Sequence, residues 1–292
     1  MKKSSDLFVT AWAWASSLAV LSAMVLLLAF LLKRGMGALD ITLLFGDTMW
    51  LDGITGQKPV FSGIWPALVG TLLLVILSSA MSIPTGIASG IYLTQYGSHR
   101  FRSFVGFAVD VLSGTPSIVM GLFGLTLILL LRKTLLPRAG TCLFLSAVCI
   151  ALIILPYVIR TTQTAFEAIP EHLRLLGPST GLSKWQNIRH VLLPLASRGI
   201  LSGAILAIGR ACEDTAVILL TGVVARAGLP RSLWDKFEAL PFRIYYLAAE
   251  HRNGAELEQG FGTALVLLLL TGSLFIAAFF IHGRLEKRWK TH

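Results

Sequence analysis

Apolar residues run along this chain in long stretches rather than in the short periodic pattern of a soluble fold. Six stretches approach the ~20 residues needed to cross a bilayer, near residues 11–32, 64–93, 104–131, 141–159, 199–222 and 260–281. A helix satisfies its own backbone hydrogen bonds, so helices are the expected form of such segments in lipid. The pattern therefore predicts an all-α, polytopic membrane protein with six transmembrane helices. The first stretch follows Lys2 and Lys3, which raises a signal peptide as the alternative. Its apolar run is longer than the ~7–15 residues of a signal sequence, and Lys33-Arg34 follow in place of a small-residue cleavage site, so a retained helix is expected.

The polar interruptions of these stretches carry the chemistry. The second stretch contains Pro84 and Gly86; the third contains Asp110 and Gly114-Thr-Pro-Ser117, then Gly121 and Gly124. Proline removes a helical hydrogen bond, and a broken helix is tolerated in a membrane where protein or a water-filled cavity satisfies the freed backbone. Two readings stand: kinked helices facing a pore, with Thr115 and Ser117 offering hydroxyls, or close helix packing through small residues. The fifth stretch carries Arg210, Glu213 and Asp214. A charge at the bilayer centre costs at least ~2.5 kcal/mol on insertion scales, so such residues usually face an interior path. Arg210 follows Arg198 by a helical rise of roughly 18 Å, and Asp214, four residues on, shares its face. A guanidinium suits an oxyanion because its fork bonds two oxygens at once, with Thr215 as a further hydroxyl donor. The alternative is a structural salt bridge among Arg210, Asp214 and Asp110. The three charges of the fifth stretch sum to −1, so an anion path needs positive charge from a second subunit.

Between the fourth and fifth stretches lies a polar, basic loop. In it Ser183 and Gln186 have the spacing of a capping box, and Trp185, Ile188, Val191 and Leu192 fall on one helical face. Pro194 is expected to end this short helix before the next span. A small amphipathic helix joined to a span is a lever for a partner protein; the competing reading is a solvated loop on the bilayer. Trp234, Phe237, Phe242, Tyr245 and Tyr246 cluster between the last two stretches, where an interfacial helix at the headgroups is expected.

Composition agrees: 55% of residues are hydrophobic and 14% charged, against about 25% charged in soluble domains. The net charge of +10 is scattered over short loops, with no basic stripe interleaved with aromatics, so nucleic-acid binding is not expected. Lys and Arg are slightly more numerous on the side of the two termini, chiefly through Arg284, Lys287, Arg288 and Lys290, which predicts both termini in the cytoplasm. The three cysteines, Cys142, Cys149 and Cys212, fall in predicted spans without a metal-ligand spacing, so buried thiols, no metal and no cofactor are expected. No Gly-Lys pair occurs, which excludes a Walker A loop. No nucleophile–base set stands out, so no enzyme activity is expected in this polypeptide alone.

Gly181, nine residues, then Val191-Leu-Leu-Pro194 resembles the Gly-x9-Ile-x-Leu-Pro half of the coupling loop of ABC importer permeases. Where that family places Glu-Ala-Ala, this chain has Leu175-Leu176-Gly177 and then Pro178. The segment Leu201–Ala216, with Arg210, Glu213, Asp214 and Thr215, is similar to the Arg-x-x-Gly-Glu-Thr-Ala segment of phosphate permease subunits. Here Glu213-Asp214 replaces Gly-Glu, so Asp214 takes the matching acidic position. Gly114-Thr-Pro-Ser-Ile-Val-Met-Gly-Leu122 resembles a second segment of those subunits, and Thr215-Ala216 with Leu240-Pro241 favours the PstA type over the PstC type. The resemblance covers roughly residues 60–282 and implies the type I ABC importer (MetI-like) permease fold. It also implies a second, PstC-type permease subunit, a separate ABC ATPase, a periplasmic phosphate-binding protein, and the inner membrane as location.

Residues 1–60 are then an N-terminal helix with its outer loop, and 61–292 the permease unit, with a coupling loop over 163–198. Arg210, Asp214, Thr215, Asp110, Thr115 and Ser117 are the expected substrate path. Leu175, Gly181, Trp185, Val191 and Pro194 are the expected contacts of the ATPase. A permease for another oxyanion, and a membrane sensor of phosphate status, are the alternatives.

Overall fold

The computed structural model describes the backbone of residues 2–56, 60, 62–134 and 140–290, and side chains between 6 and 280 apart from Leu7. The basic side chains at both ends that set the expected orientation, Lys2, Lys3, Arg284, Lys287, Arg288 and Lys290, lie outside the described side chains, as does His292. Helix dominates. The chain forms α1 (Lys2–Gly35), α2 (Ile41–Phe45), α3 (Trp50–Thr55), α4 (Trp65–Gln95), α5 (His99–Ser113), α6 (Ser117–Thr134) and α7 (Leu143–Glu167). It continues as α8 (Glu171–Arg174), α9 (Leu176–Ser179), α10 (Lys184–Asn187), α11 (Leu193–Glu213), α12 (Ala216–Thr221), α13 (Leu240–Glu250) and α14 (Gly254–Lys290). Among the described residues, six helical segments are long and apolar enough to cross a membrane.

The centre of the bundle is the pair α4 and α7, with α11 against both. Leu74, Ile150, Ile154, Val158, Ala207 and Val217 fill the space between them. Small residues set the approach. A Cβ placed on Gly86 would stand 2.7 Å from Val158 Cβ, and one on Gly90 would stand 2.6 Å from Thr162 Cβ and 3.0 Å from the Ile159 carbonyl. Gly121 and Gly124 do the same where α6 meets α12 and α7. The close-packing reading is realised at these glycines; a helix break occurs only at Gly114–Pro116, while α4 runs unbroken through Pro84. Gly90→Leu is expected to destabilise the α4–α7 pair by at least about 1–3 kcal/mol, the usual cost of overpacking, and a lowered thermal unfolding midpoint of the detergent-solubilised protein would report it.

Three expectations need correction. The stretch 104–131 does not form one span: α5 ends at Ser113, and α6, the membrane-length helix, begins at Ser117. Pro116 cannot donate to the helix and disfavours helical backbone at the residue before it, so the chain turns at Gly114–Pro116. α5 is a separate amphipathic helix whose Phe104, Phe107 and Val111 are exposed. Pro194 does not end the helix either. Residues Ile188–Leu192 form a π turn in which the Leu193 N–H donates to the Ile188 carbonyl, five residues back, and the helix runs on into α11. The wider π turn accommodates the proline ring that would clash with a regular helical turn. Finally, the aromatic cluster is divided. Phe237 and Phe242 are buried in the main core, while Trp234 and Tyr245 are exposed. Phenyl rings lack the polar tip that favours the headgroup level.

α1 packs along α14, with Phe30 edge-on to Phe261 at 5.6 Å and Gly35 beneath Leu265. The three cysteines are buried and free.

Candidate functional site

Two helix breaks meet at Arg210. One is the α5–α6 turn, and the other is Asp214-Thr215, where α11 stops and α12 begins. From the last turn of α11, Arg210 Nη2 donates to Ser117 Oγ, the first residue of α6, at 3.2 Å. The same nitrogen lies 3.9 Å from Asp214 Oδ2. Asp214 is itself anchored: its Oδ1 accepts from the Val217 N–H, in the first turn of α12, at 3.0 Å. The carboxylate side chain is 3% exposed, whereas the Arg210 side chain is 44% exposed. The guanidinium thus rests on a buried acid and presents its remaining donors to the surface of the isolated chain.

That surface is polar where lipid would require apolar residues. Leu195, Arg198, Ser202, Leu206, Arg210 and Glu213 are the exposed positions along one stripe of α11, spaced three or four apart. Their mixture of charge, hydroxyl and leucine suits a protein or aqueous neighbour, since a charged residue facing acyl chains is costly.

Of the six residues expected in a substrate path, the structure brings together Arg210, Asp214 and Ser117. Thr115 lies in the same break, but its hydroxyl donates to the Val111 carbonyl at 2.9 Å. Thr215 follows Asp214 and is half-buried, with its hydroxyl 3.5 Å from the Glu213 carbonyl. Asp110 is engaged elsewhere. It forms an ion pair with Arg160 of α7, whose Nε donates to Asp110 Oδ1 at 3.1 Å. Arg160 also donates to Gln163 Oε1 at 3.1 Å and to the Gly106 carbonyl at 3.0 Å. Arg102 pairs with Glu167 further along the same two helices. Between α5 and α7 lies an open cavity of about 530 Å³ lined by His99, Arg102, Phe107, Asp110, Arg160 and Gln163. Arg160 falls one residue past the apolar stretch 141–159, and hydropathy alone assigns it no role. The available signal was the face Arg160, Gln163, Glu167, which continues α7 as a helix past its apolar part.

At the end of α11 remote from Arg210, the loop over 163–198 is a compact clasp. The Arg174 guanidinium caps the end of α7, donating to the carbonyls of Phe166 at 2.6 Å and Ile169 at 3.0 Å. Asn187 Nδ2 donates to the Arg174 carbonyl at 3.1 Å. Gly177 lies against Asn187 so closely that a Cβ would stand 2.2 Å from its Oδ1. Gly181 turns the chain with φ +80°, in the left-handed region that favours glycine. The expected capping box forms: Gln186 N–H donates to Ser183 Oγ at 3.3 Å, and Ser183 N–H to Gln186 Oε1 at 2.8 Å. The expected single apolar face is shared between two neighbours. Ile188 and Leu192 are buried beneath the clasp, Val191 and Pro194 are half-buried, and Trp185 is exposed at 60% beside Tyr92 of α4 and Tyr96, the residue that caps it. Leu175 and Leu176, which replace the acidic residue and first alanine of the related coupling loops, are exposed as well.

The opposite end of the bundle carries a buried ion pair that sequence reasoning passed over. Arg243 Nη1 donates to Glu238 Oε1 at 2.9 Å, with the two side chains 7% and 1% exposed. Burial pushes the Glu238 carboxyl above its ordinary range, while the charges of Arg243 and Arg226 pull it back.

Residues 82–291 match the model of the family described as binding-protein-dependent transport system inner membrane component. The phosphate transport system permease protein PstA of Mycobacterium leprae is 32% identical over 279 residues, covering 92% of this chain and 86% of that protein. The protein of the same description from Haemophilus influenzae is 30% identical over 256 residues, covering 87% and 86%. Among solved structures, a bacterial alginate ABC transporter in complex with its alginate-bound periplasmic protein superposes with a TM-score of 0.63 at 17% identity, covering 94% of this chain and 96% of that one. The inward-facing MetNI methionine ABC transporter superposes at 0.55 and 18% identity, covering 81% and 99%. At these identities the likeness is one of fold, the ABC importer permease architecture.

Proposed function

The chain belongs to the family of binding-protein-dependent transport system inner membrane components, among its PstA-type permeases, and from that premise we propose the following reading of its parts. It is a multi-pass inner-membrane subunit of a phosphate ABC importer, it associates with an ATPase and a substrate-binding protein, and it is not itself an enzyme. The second permease subunit is of the PstC type, and both termini of this chain face the cytoplasm. Residues 61–292 form the permease unit, preceded by the N-terminal helix and outer loop over 1–60.

In this reading Arg210 binds phosphate as it crosses. Its guanidinium is held at the junction of two broken helices by Asp214 and Ser117 when the path is empty. Phosphate replaces the 3.2 Å contact with the Ser117 hydroxyl by charge-assisted bonds to two of its own oxygens. Asp214, fixed by the Val217 N–H, keeps the arginine in place and limits how tightly it holds the anion. Thr115 and Thr215 flank the approach, while Asp110, expected in the path, is tied to Arg160. The coupling loop over 163–198 receives the ATPase through Leu175, Gly181, Trp185, Val191 and Pro194, an apolar contact in place of one made through an acid.

The observation that carries this reading is the uncovered polar stripe of α11, with a half-exposed arginine seated on a buried aspartate. The stripe needs a second subunit to close it, and the local charge needs that subunit's cations. In proteoliposomes loaded with ATP on the ATPase side, phosphate uptake is expected only when this chain, the second permease, the ATPase and the binding protein are all present. Uptake without the second permease would refute the shared path, and preferential uptake of sulfate would refute the substrate.

A further inference from the structure

At the end of the bundle opposite the 163–198 loop, α13, the start of α14 and the segment around Arg226 enclose a cavity of about 170 Å³ that none of the roles above uses. Three arginines line it, Arg226, Arg243 and Arg252, together with Glu250 and Glu256. Two independent features mark it. Arg226 is the one non-glycine residue with positive φ among the described residues, at 57°. Such a backbone is costly and persists where the surroundings enforce it, which recurs at ligand sites. Arg243 is 6% exposed, and although Nη1 bonds Glu238 and Nη2 donates to the Ser62 carbonyl at 3.2 Å, its buried Nε has no partner. A buried donor left unpaired is costly, and an incoming acceptor would relieve it.

The charges are distributed unevenly around the cavity. Glu238 is tied to Arg243, and Glu256 Oε2 accepts from the backbone N–H of Arg252 at 2.7 Å. Arg226 and Arg252 are exposed and, among the described residues, neither is held in a salt bridge, although Arg226 lies near enough to Glu238 for its charge to act on that carboxyl. Two cations without salt bridges thus stand over a buried donor that lacks an acceptor.

We propose that this cavity is a second oxyanion subsite, separate from Arg210, which takes a small tetrahedral oxyanion from the compartment facing α13 before it enters the membrane path. Arg226 and Arg252 clamp two of its oxygens from the rim, and Arg243 offers the inner donor. The balancing carboxylates Glu250 and Glu256 keep the site weak, as a subsite that must release its ligand requires. The inference rests on the transport reading for the choice of phosphate as ligand.

The test is equilibrium binding of radiolabelled inorganic phosphate to the assembled complex in nanodiscs, without binding protein and with Arg210→Ala to remove the inner site. Saturable phosphate binding is expected to persist in that complex and to weaken at least about tenfold on adding Arg226→Gln and Arg252→Gln, since each loses a charge-assisted contact. Both rim residues are exposed, and gel filtration reports whether the complex remains assembled. Absent binding in the Arg210→Ala complex, or binding indifferent to the rim variants, overturns the subsite. Unchanged phosphate binding with lost affinity for the binding protein would make the cavity a receptor for a protein carboxylate, and also overturns it. Failure of the transport reading is seen separately, as an assembled wild-type complex that takes up no phosphate. Sulfate as a parallel probe shows whether the cavity accepts tetrahedral oxyanions in general.

Discussion

Replacing Arg210 by alanine is expected to lower phosphate uptake by the assembled transporter at least a hundredfold. A hydrogen bond to a charged group contributes about 1.5–3 kcal/mol, and a guanidinium gripping two oxygens makes two of them, about 3–6 kcal/mol. Each 1.4 kcal/mol is a factor of ten in rate or affinity. The fold of this chain should survive, because the side chain is 44% exposed and its one hydrogen bond among the described residues is that to Ser117. Asp214 would keep its bond from the Val217 N–H and so would not become a wholly unpaired buried acid. Arg210→Lys should fall between the two, since an ammonium keeps the charge and loses the planar fork. Uptake is to be measured in proteoliposomes, with co-purification of the ATPase as the control for assembly. Normal uptake by the alanine variant would remove Arg210 from the path.

Much of this architecture was legible in the sequence because the bilayer imposes a simple rule. An apolar stretch long enough to span must be helical, so α4, α7 and α14 follow from composition alone. The same rule misleads at 104–131, where apolar character continues across a break that Pro116 enforces. Hydropathy counts side chains, whereas the break is made by the backbone. Pro194 misled in the other direction: a proline that normally ends a helix is absorbed by the π turn Ile188–Leu192. The Arg210–Asp214 pair was legible because the two share a helix and their spacing fixes the face. Asp110–Arg160 was not, since 50 residues separate the partners and only tertiary packing chooses between Arg160 and Arg210. Arg243 and Glu238, five residues apart, were hidden for another reason. They flank the start of α13, so no helical or strand period relates them, and their aromatic neighbours drew attention to the surface.

The clasp and the site are two ends of one rod. From Lys184 the helix passes through the π turn into α11 and reaches Arg210 without interruption. Gly177 is where that rod is gripped, and Gly177→Val is expected to abolish phosphate-stimulated ATP hydrolysis while phosphate binding at Arg210 persists. A Cβ at Gly177 would stand 2.2 Å from Asn187 Oδ1, 2.5 Å from Cγ and 2.8 Å from Cβ. Asn187 has little freedom to retreat, because its amide holds the Arg174 carbonyl and the adjoining Ile188 is 1% exposed. Overpacking of this kind costs about 1–3 kcal/mol even for an added methylene, and a branched side chain must push α9 and α10 apart. Gly181 supplies the comparison. A Cβ there meets nothing within 4 Å, so Gly181→Ala should cost the clasp only the ~1–2 kcal/mol of a left-handed backbone, and any further loss of coupling would come from its contact with the ATPase and not from packing inside the clasp. The measurement is ATP hydrolysis with and without phosphate-loaded binding protein, alongside ATPase retained on the permease through purification. If the valine variant hydrolysed ATP in response to phosphate as the wild type does, the clasp would not be the element that transmits the ATPase's motion to α11.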